Sequence, residues 1–188
     1  MLLLVLLATV PVAAAGADEI ARLVVGETLP PLEGDFLTKE KARLPDAAAG
    51  KVALVALGFT YDSRFAVEEW SKRFRDAFAD EPRVTFFEVP MLGRMARLGR
   101  VFIDRGMRNG TPEAFHGNVI TVYGGSVGDW KKRMGFTDAA KNAAYLVLVG
   151  PDGRVRWLHT GVPADAPFAA LVAATEEMLA SMTASGRP

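Results

Sequence analysis

Two continuously apolar runs predict the centre of a sheet. Residues 52–57 and 145–149 are apolar at nearly every position, which is typical of strands buried on both faces. The second run leads through a Gly-Pro-Asp-Gly turn into residues 154–160, where apolar and polar side chains alternate. This arrangement predicts an antiparallel hairpin. A further strand is predicted over residues 83–92, ended by Pro90.

Helical spacing predicts a helix after the first strand and another after the hairpin. In the first helix, Val67, Trp70, Phe74 and Phe78 form one apolar stripe, and Asp62 or Ser63 is expected to cap its start. The C-terminal helix is predicted over residues 163–182, with Asp165 as its cap. Its predicted core positions are Phe168, Leu171, Val172, Leu179 and Met182.

The middle of the chain, residues 93–137, has a weaker pattern. A helix is predicted in RMARLGRVFIDRGMR, with Met95, Leu98 and Phe102 facing inward. Residues 119–123 favour a short strand. Residues 124–129 are rich in glycine but lack the lysine of a phosphate-binding loop, so a flexible connection is predicted.

The order of these elements predicts an α/β protein with a mixed sheet flanked by helices. We expect an extended lead-in over residues 18–50 and one domain over residues 51–183. A helical insert at about residues 93–137 would precede the C-terminal hairpin, and residues 184–188 would form a disordered tail.

Residues 1–17 are typical of a signal peptide. An apolar core over residues 2–12 precedes the small residues Ala15, Gly16 and Ala17, which fit a cleavage site. No Lys or Arg precedes the apolar core, so an uncleaved anchor and a buried N-terminal helix stay open as alternatives. We predict an extracytoplasmic location, periplasmic or anchored on the outer side of the inner membrane.

Composition removes several classes of function. The 188 residues include 22 Lys and Arg against 22 Asp and Glu, so no net charge favours binding to nucleic acid. The sequence contains no cysteine, which excludes disulfides, thiol redox chemistry and cysteine metal sites.

Three stretches resemble the redoxin branch of thioredoxin-like proteins: VVGETLPPLEG with GKVALVALGFT, then TYDSRFAVEEW, and YLVLVGPDGRVRWLHTGVP. Redox-active relatives open the first helix with Cys-x-x-Cys, and the matching positions here are about Tyr61 and Arg64. Their cis-proline position falls near Ala144. Because both features are missing, the resemblance implies a thioredoxin-like fold without oxidoreductase or peroxidase activity.

A second resemblance covers residues 52–188. The segments FFEVPMLGRMARLGRVFIDRGMRNGTPEAFHGN and MGFTDAAKNAAYLVLVGPDGRVRWLHTG are similar to the thioredoxin-like assembly factors of the F-type ATP synthase membrane sector. Arg108, a Thr-Pro-Glu and His116 lie in the first segment. The N-terminus differs from that family, because it is of the secretory type and not of the organellar type. The resemblance implies a non-enzymatic role, with a membrane-complex subunit as the protein partner. In the second segment, the family's hairpin pattern is matched by Tyr145, Arg156, Trp157 and Gly161.

The strand-to-helix turn is one candidate binding site. Its four residues, Tyr61, Asp62, Ser63 and Arg64, could present helix N–H groups and a guanidinium to an anion or carboxylate. The alternative is an ordinary helix cap beside a solvated arginine.

A basic run with interspersed methionines is the second candidate surface. Arginine binds phosphate and carboxylate in a forked geometry, and methionine adapts to apolar partners. A protein partner or an anionic membrane surface would suit this run, and a solvated helix face is the alternative. Its arginines are Arg94, Arg97, Arg100, Arg105 and Arg108, and its methionines are Met91, Met95 and Met107.

The two histidines, His116 and His159, could bind a metal if they met, with Glu113 near the first. Their separation favours ordinary hydrogen bonds instead, so we expect no metal and no cofactor. Three functions follow in order of preference: a binding or assembly factor, a redoxin-derived enzyme that holds an anionic substrate at residues 61–64, and a small-ligand or metal carrier.

Overall fold

A computed structural model describes residues 20–185 as a seven-stranded sheet with helices on both faces. The predicted signal segment lies outside these residues, as does most of the predicted tail. The strands are β1 (Leu32–Phe36), β2 (Lys41–Leu44), β3 (Val52–Gly58), β4 (Val84–Leu92), β5 (Ile120–Tyr123), β6 (Ala144–Val149) and β7 (Val155–Gly161), and the helices are α1 (Ser63–Ala77), α2 (Arg100–Gly110), α3 (Ser126–Met134) and α4 (Asp165–Ser185).

The predicted centre of the sheet is confirmed. The strand order is β2-β1-β5-β4-β3-β6-β7. β3 pairs with β4 in parallel and with β6 antiparallel, in a register that sets Ala53 opposite Val149 and Leu57 opposite Tyr145. β6 and β7 form the predicted hairpin. Every residue of β3 and β6 is buried, as their continuous apolar runs require.

Alternation along β3 divides the core between the two faces of the sheet. Val52, Leu54 and Ala56 face the cluster built with α1 and α4, in which Trp70 and Phe74 are fully buried. Ala53, Val55 and Leu57 face a second cluster. That cluster holds Val127 and Trp130 of α3 together with residues of the N-terminal segment.

The predicted lead-in contributes two strands to the sheet. β1 and β2 form an antiparallel hairpin, and β1 joins the edge of β5. Leu32 and Leu44 are fully buried in it. Gly34 permits the close approach of β1 to β5, because a Cβ atom there would lie 2.6 Å from Ile120 Cγ2.

Several predicted boundaries are wrong. The strand predicted over residues 83–92 is confirmed as β4, but Pro90 does not end it: Pro90 lies at the last β3–β4 position, opposite Gly58, and β4 continues to Leu92. Residues 126–129, predicted as a flexible connection, form the first turn of α3. Asp165 is the first residue of α4, where its carboxylate pairs with Arg73 at 2.9 Å, and α4 extends through Ala184 into the predicted tail.

Candidate functional site

The turn between β3 and α1 is closed by Thr60 and Ser63. The Thr60 N–H donates to Ser63 Oγ at 3.1 Å, the Ser63 N–H donates to Thr60 Oγ1 at 3.1 Å, and Ser63 Oγ donates to Thr60 O at 2.7 Å. The side chain of Asp62 makes no capping hydrogen bond. Thr60, which the sequence prediction omitted, therefore satisfies the first helix N–H.

Ser63 is fully buried, so it is not a surface recognition residue as the sequence analysis expected. Its position follows from the tight connection between β3 and α1. A Cβ atom on Gly58 would lie 2.7 Å from Ser63 Oγ, which means that only glycine lets the helix start this close to the strand.

The exposed part of the turn is aromatic as well as charged. Tyr61 is 73% exposed, and Phe65 is exposed beside it. The guanidinium of Arg64 lies 3.9 Å from the ring centroid of Tyr61 and 4.5 Å from that of Phe65. This stacking holds Arg64 over two aromatic rings, with Asp62 exposed next to them.

Beside this turn lies a cavity of about 620 Å³. Its walls come from the turn and first two helical turns of α1, from the end of β4, and from α2 of the insert. Carboxylates of Glu68 and Glu88 are the acidic groups in the wall, and Arg64 lies at the turn side. The apolar wall includes Phe59, Val67, Met91, Phe102, Ile103 and Met107.

The insert presents its apolar residues to solvent, contrary to the prediction that they face inward. Met95, Leu98 and Phe102 are 79%, 86% and 81% exposed, and neither the 3-10 helix Arg94–Gly99 nor α2 contains a buried residue. α2 lies across the cavity and buries none of its residues in the core.

A small polar cluster ties α2 to the sheet. The guanidinium of Arg100 lies 2.8 Å from Asp35 Oδ2 of β1 and 3.2 Å from Asp104 Oδ2, and the Tyr123 hydroxyl donates to Asp104 Oδ1 at 2.7 Å. Burial acts to raise the pKa of Asp35, but hydrogen bonds from Lys41 and Arg100 lower it below its usual value. Burial and Asp104 raise the pKa of Tyr123.

The predicted arginine surface therefore divides into two groups. Arg100 differs from the other predicted arginines because its guanidinium forms the anchor just described, although its side chain is still 38% exposed. Arg94, Arg97 and Arg105 are exposed, and within residues 20–185 none of the three forms an ion pair. Arg108 is half-buried at the end of α2.

His116 has a structural role. Its Nε2 lies 3.2 Å from Arg108 O and 3.0 Å from Thr111 O, so its N–H can donate to the carbonyls that end α2. His159 lies against the rings of Trp70 and Trp157, and burial lowers its pKa. Among the residues that the structure describes, no group of three acidic or histidine side chains could hold a metal ion.

Glu88 is the site residue that the sequence analysis missed. Burial raises the pKa of Glu88 to about 7 and the charge of Glu68 adds to the rise, whereas Ser71 and Arg75 act against it. Ser71 is buried, and its Oγ makes no hydrogen bond of regular geometry. The available signal was a single carboxylate inside the apolar run FFEVPML.

No protein-family model and no curated protein matches the chain. Several solved structures do match the chain. One is named as a putative thiol:disulfide interchange protein DsbE from Chlorobium tepidum. It superposes with a TM-score of 0.54 at 17% sequence identity, and the match covers 84% of this chain and 99% of that one. BsSco, a member of the Sco family of cytochrome c oxidase assembly proteins, superposes with a TM-score of 0.56 at 16% sequence identity. The match covers 80% of this chain and 92% of that one.

A thiol peroxidase from Chromobacterium violaceum gives 0.56 at 17% identity, covering 86% of this chain and 94% of that one. The fold is thioredoxin-like. At these identities the similarity establishes the fold alone, and function has to be argued from the site. None of the helices within residues 20–185 is long and apolar enough to cross a membrane.

Proposed function

We propose that this chain is a non-redox, extracytoplasmic binding or assembly factor for a membrane-associated protein complex. Its binding site is the groove formed by the cavity together with its two exposed rims, Tyr61 and Phe65 on one side and α2 on the other. The observation that carries this proposal is the apolar surface of the insert, which is left open next to a cavity of about 620 Å³.

An apolar segment of a partner protein is the occupant that this groove suits best. Exposed apolar residues that form a continuous patch beside a cavity are typical of protein interaction sites. α2 has no buried residue of its own, so a partner lying on Phe102 and Ile103 would supply the packing that the core does not. The guanidinium groups of Arg94, Arg97 and Arg105, which form no ion pair with any other residue between 20 and 185, favour acidic residues at the outer end of that segment.

The location and the type of partner rest on two supports. The N-terminal segment is typical of a secreted or anchored protein, and structures with this fold include the DsbE protein and an exposed lipoprotein thioredoxin from Streptococcus pneumoniae. BsSco is a member of the Sco family of cytochrome c oxidase assembly proteins. Because this sequence contains no cysteine, thiol chemistry does not transfer with the fold.

The proposal predicts that a charge in the groove detaches the protein from its complex. In cells that produce the tagged full chain, wild-type protein should co-migrate with a membrane complex of defined subunits on native gels, and Phe102→Asp should not. Val25→Asp is the matched control, because Val25 is also an exposed apolar residue but does not line the cavity.

Co-migration that survives Phe102→Asp would overturn the proposal. Binding to vesicles of anionic lipid, lost in Phe102→Asp and unaccompanied by any protein subunit, would show that the insert docks on a membrane surface instead. Both variants should keep the wild-type urea midpoint, since both side chains are solvent-exposed.

A further inference from the structure

The wall of the groove contains a carboxylate that the apolar surroundings do not explain. Glu88 lies in the middle of β4, and alternation places it on the same face as Phe86, which packs against the α1 cluster. It is partly buried and lines the cavity. Within residues 20–185 it forms no ion pair, and its hydrogen-bond donor is Ser71. A carboxylate in apolar surroundings ordinarily has a cationic partner as well.

Ser71 of α1 places its hydroxyl beside the Glu88 carboxyl and favours the ionised form of that carboxyl. The Ser71 side chain is 1% exposed, and its Oγ has no other hydrogen-bond partner within residues 20–185. Because buried hydroxyls in folded proteins are almost always paired, this contact accounts for Ser71. A neutral hydroxyl is not a counter-charge, however, and Glu88 forms no ion pair in the described part of the chain.

The charges around Glu88 favour a cation. Glu68 of α1 also lines the cavity and adds negative potential. Arg75 offsets part of it, although its guanidinium lies 4.6 Å from the ring of Phe115 and pairs with Asp76. Arg64 is stacked on Tyr61 and Phe65. Neither arginine forms an ion pair with Glu88.

We propose that the groove accepts an ammonium or guanidinium group carried on an apolar body, with the Glu88 carboxylate as its direct counter-charge and Glu68 as a supporting charge. This inference rests on the proposed function: the cation would be a lysine or arginine within the partner's apolar segment. The arrangement also orients that segment, because its basic residue points to the two glutamates while its acidic end lies at Arg94, Arg97 and Arg105.

The ionisation of Glu88 gives the site a pH dependence. With a pKa of about 7, Glu88 is largely neutral below neutrality and largely ionised above it. Glu68 and Arg64 are the other charged groups of this wall, and Arg75 acts on Glu88 from α1. A bound cation should therefore prefer the alkaline side, and its affinity should fall about tenfold between about pH 8 and about pH 6.

Three probes with one apolar body test this inference on the folded full chain: 4-phenylbutylammonium, 4-phenylbutanol and 4-phenylbutyrate. Binding is followed by protein NMR shifts at about pH 8 and about pH 6. The cation should bind about tenfold more tightly than the alcohol at the higher pH, and the anion should bind weakest. Glu88→Gln should remove the cation preference and its pH dependence while keeping the affinity for the alcohol. Glu69→Gln, an exposed residue of α1 outside the cavity wall, should change neither.

The outcomes separate this inference from the proposed function. Equal affinity for the cation and the alcohol, or a cation preference that persists in Glu88→Gln, would overturn the inference and leave the apolar groove intact. Failure of all three probes to bind would count against both. A leucine-rich peptide with one lysine should bind more tightly than its norleucine counterpart, whereas preference for the small amine alone would point to a small-ligand site.

Discussion

The two helices that border the groove use their apolar residues in opposite ways. α1 buries Val67, Trp70 and Phe74 against the sheet, and the Trp70 indole N–H donates to Gly161 O at 3.1 Å. α2 buries no residue, and it is held to the sheet by the polar cluster around Arg100. α1 is therefore a part of the core, whereas the apolar side of α2 is exposed.

The same sequence pattern can therefore belong to a packed helix or to an exposed one. Both helices have apolar residues at helical spacing, and both stand beside the same cavity. α2 lies across the cavity and buries no residue against the sheet. Helical spacing of apolar residues alone therefore does not determine whether an apolar face is covered.

The largest expected effect is on the α1 side. Trp70→Ala removes a fully buried indole that contacts Trp157 and Phe168, and it should lower the free energy of unfolding by about 3–5 kcal/mol. Urea unfolding followed by circular dichroism measures this change. A loss below about 1 kcal/mol would contradict the assignment of α1 to the core.

A smaller effect is expected at Glu88, between the two helices. Because the folded-state pKa is raised from 4.5 to about 7, the folded chain holds a proton that the unfolded chain has released. Stability should therefore fall as pH rises through this range and level off above about pH 7. Glu88→Gln should be more stable than wild type by about 3 kcal/mol above that pH and nearly equal to it below about pH 4.5. Urea midpoints that differ by the same amount at every pH would refute this explanation.

The anchor of α2 should give an effect of about 1 kcal/mol. Arg100→Ala leaves Asp35 and Asp104 without their shared guanidinium, and the partial exposure of that ion pair limits the loss. Amide exchange in α2 should accelerate while exchange in α1 stays unchanged. Arg97→Ala is the control, since Arg97 is exposed and has no ion pair among residues 20–185. Equal acceleration in both variants would show that Arg100 does not anchor the helix.

The smallest effect is expected on the exposed side of α2. Phe102→Ala should change the free energy of unfolding by no more than about 0.5 kcal/mol, since the ring is 81% exposed. Thermal unfolding of this variant beside wild type provides the measurement. A loss as large as that of a core phenylalanine would mean that α2 is packed and that no free groove exists.

The centre of the fold was predictable because its strands are unambiguous. Residues 52–57 and 145–149 are apolar throughout, so they favour strands that are buried on both faces of a sheet. The Gly-Pro-Asp-Gly turn allows few alternatives to a hairpin. β1 and β2 were missed because they are short strands of mixed polarity, LEGDF and KARL, with five and four residues. Such segments become strands only when they pair with other strands. Such pairing depends on neighbours that are distant in sequence.

The candidate site was less predictable, for two physical reasons. Periodicity identifies an apolar face but does not say what covers it, so Met95, Leu98 and Phe102 were expected inward. Ser63 and Arg100 are common surface residues whose burial or pairing depends on tertiary contacts with Gly58 and Asp35. Glu88 had a signal, since a charge inside a predicted strand is costly without a partner.

Photocrosslinking from position 102 tests the central claim most directly, namely that the groove holds a protein segment by shape and charge. A photoreactive amino acid replaces Phe102 in one variant and Val25 in another, and both are irradiated in living cells. We predict that position 102 crosslinks to an apolar segment of one membrane-complex subunit, identified by mass spectrometry, and that position 25 does not. Crosslinks that are equal from both positions, or absent from position 102, would contradict the account.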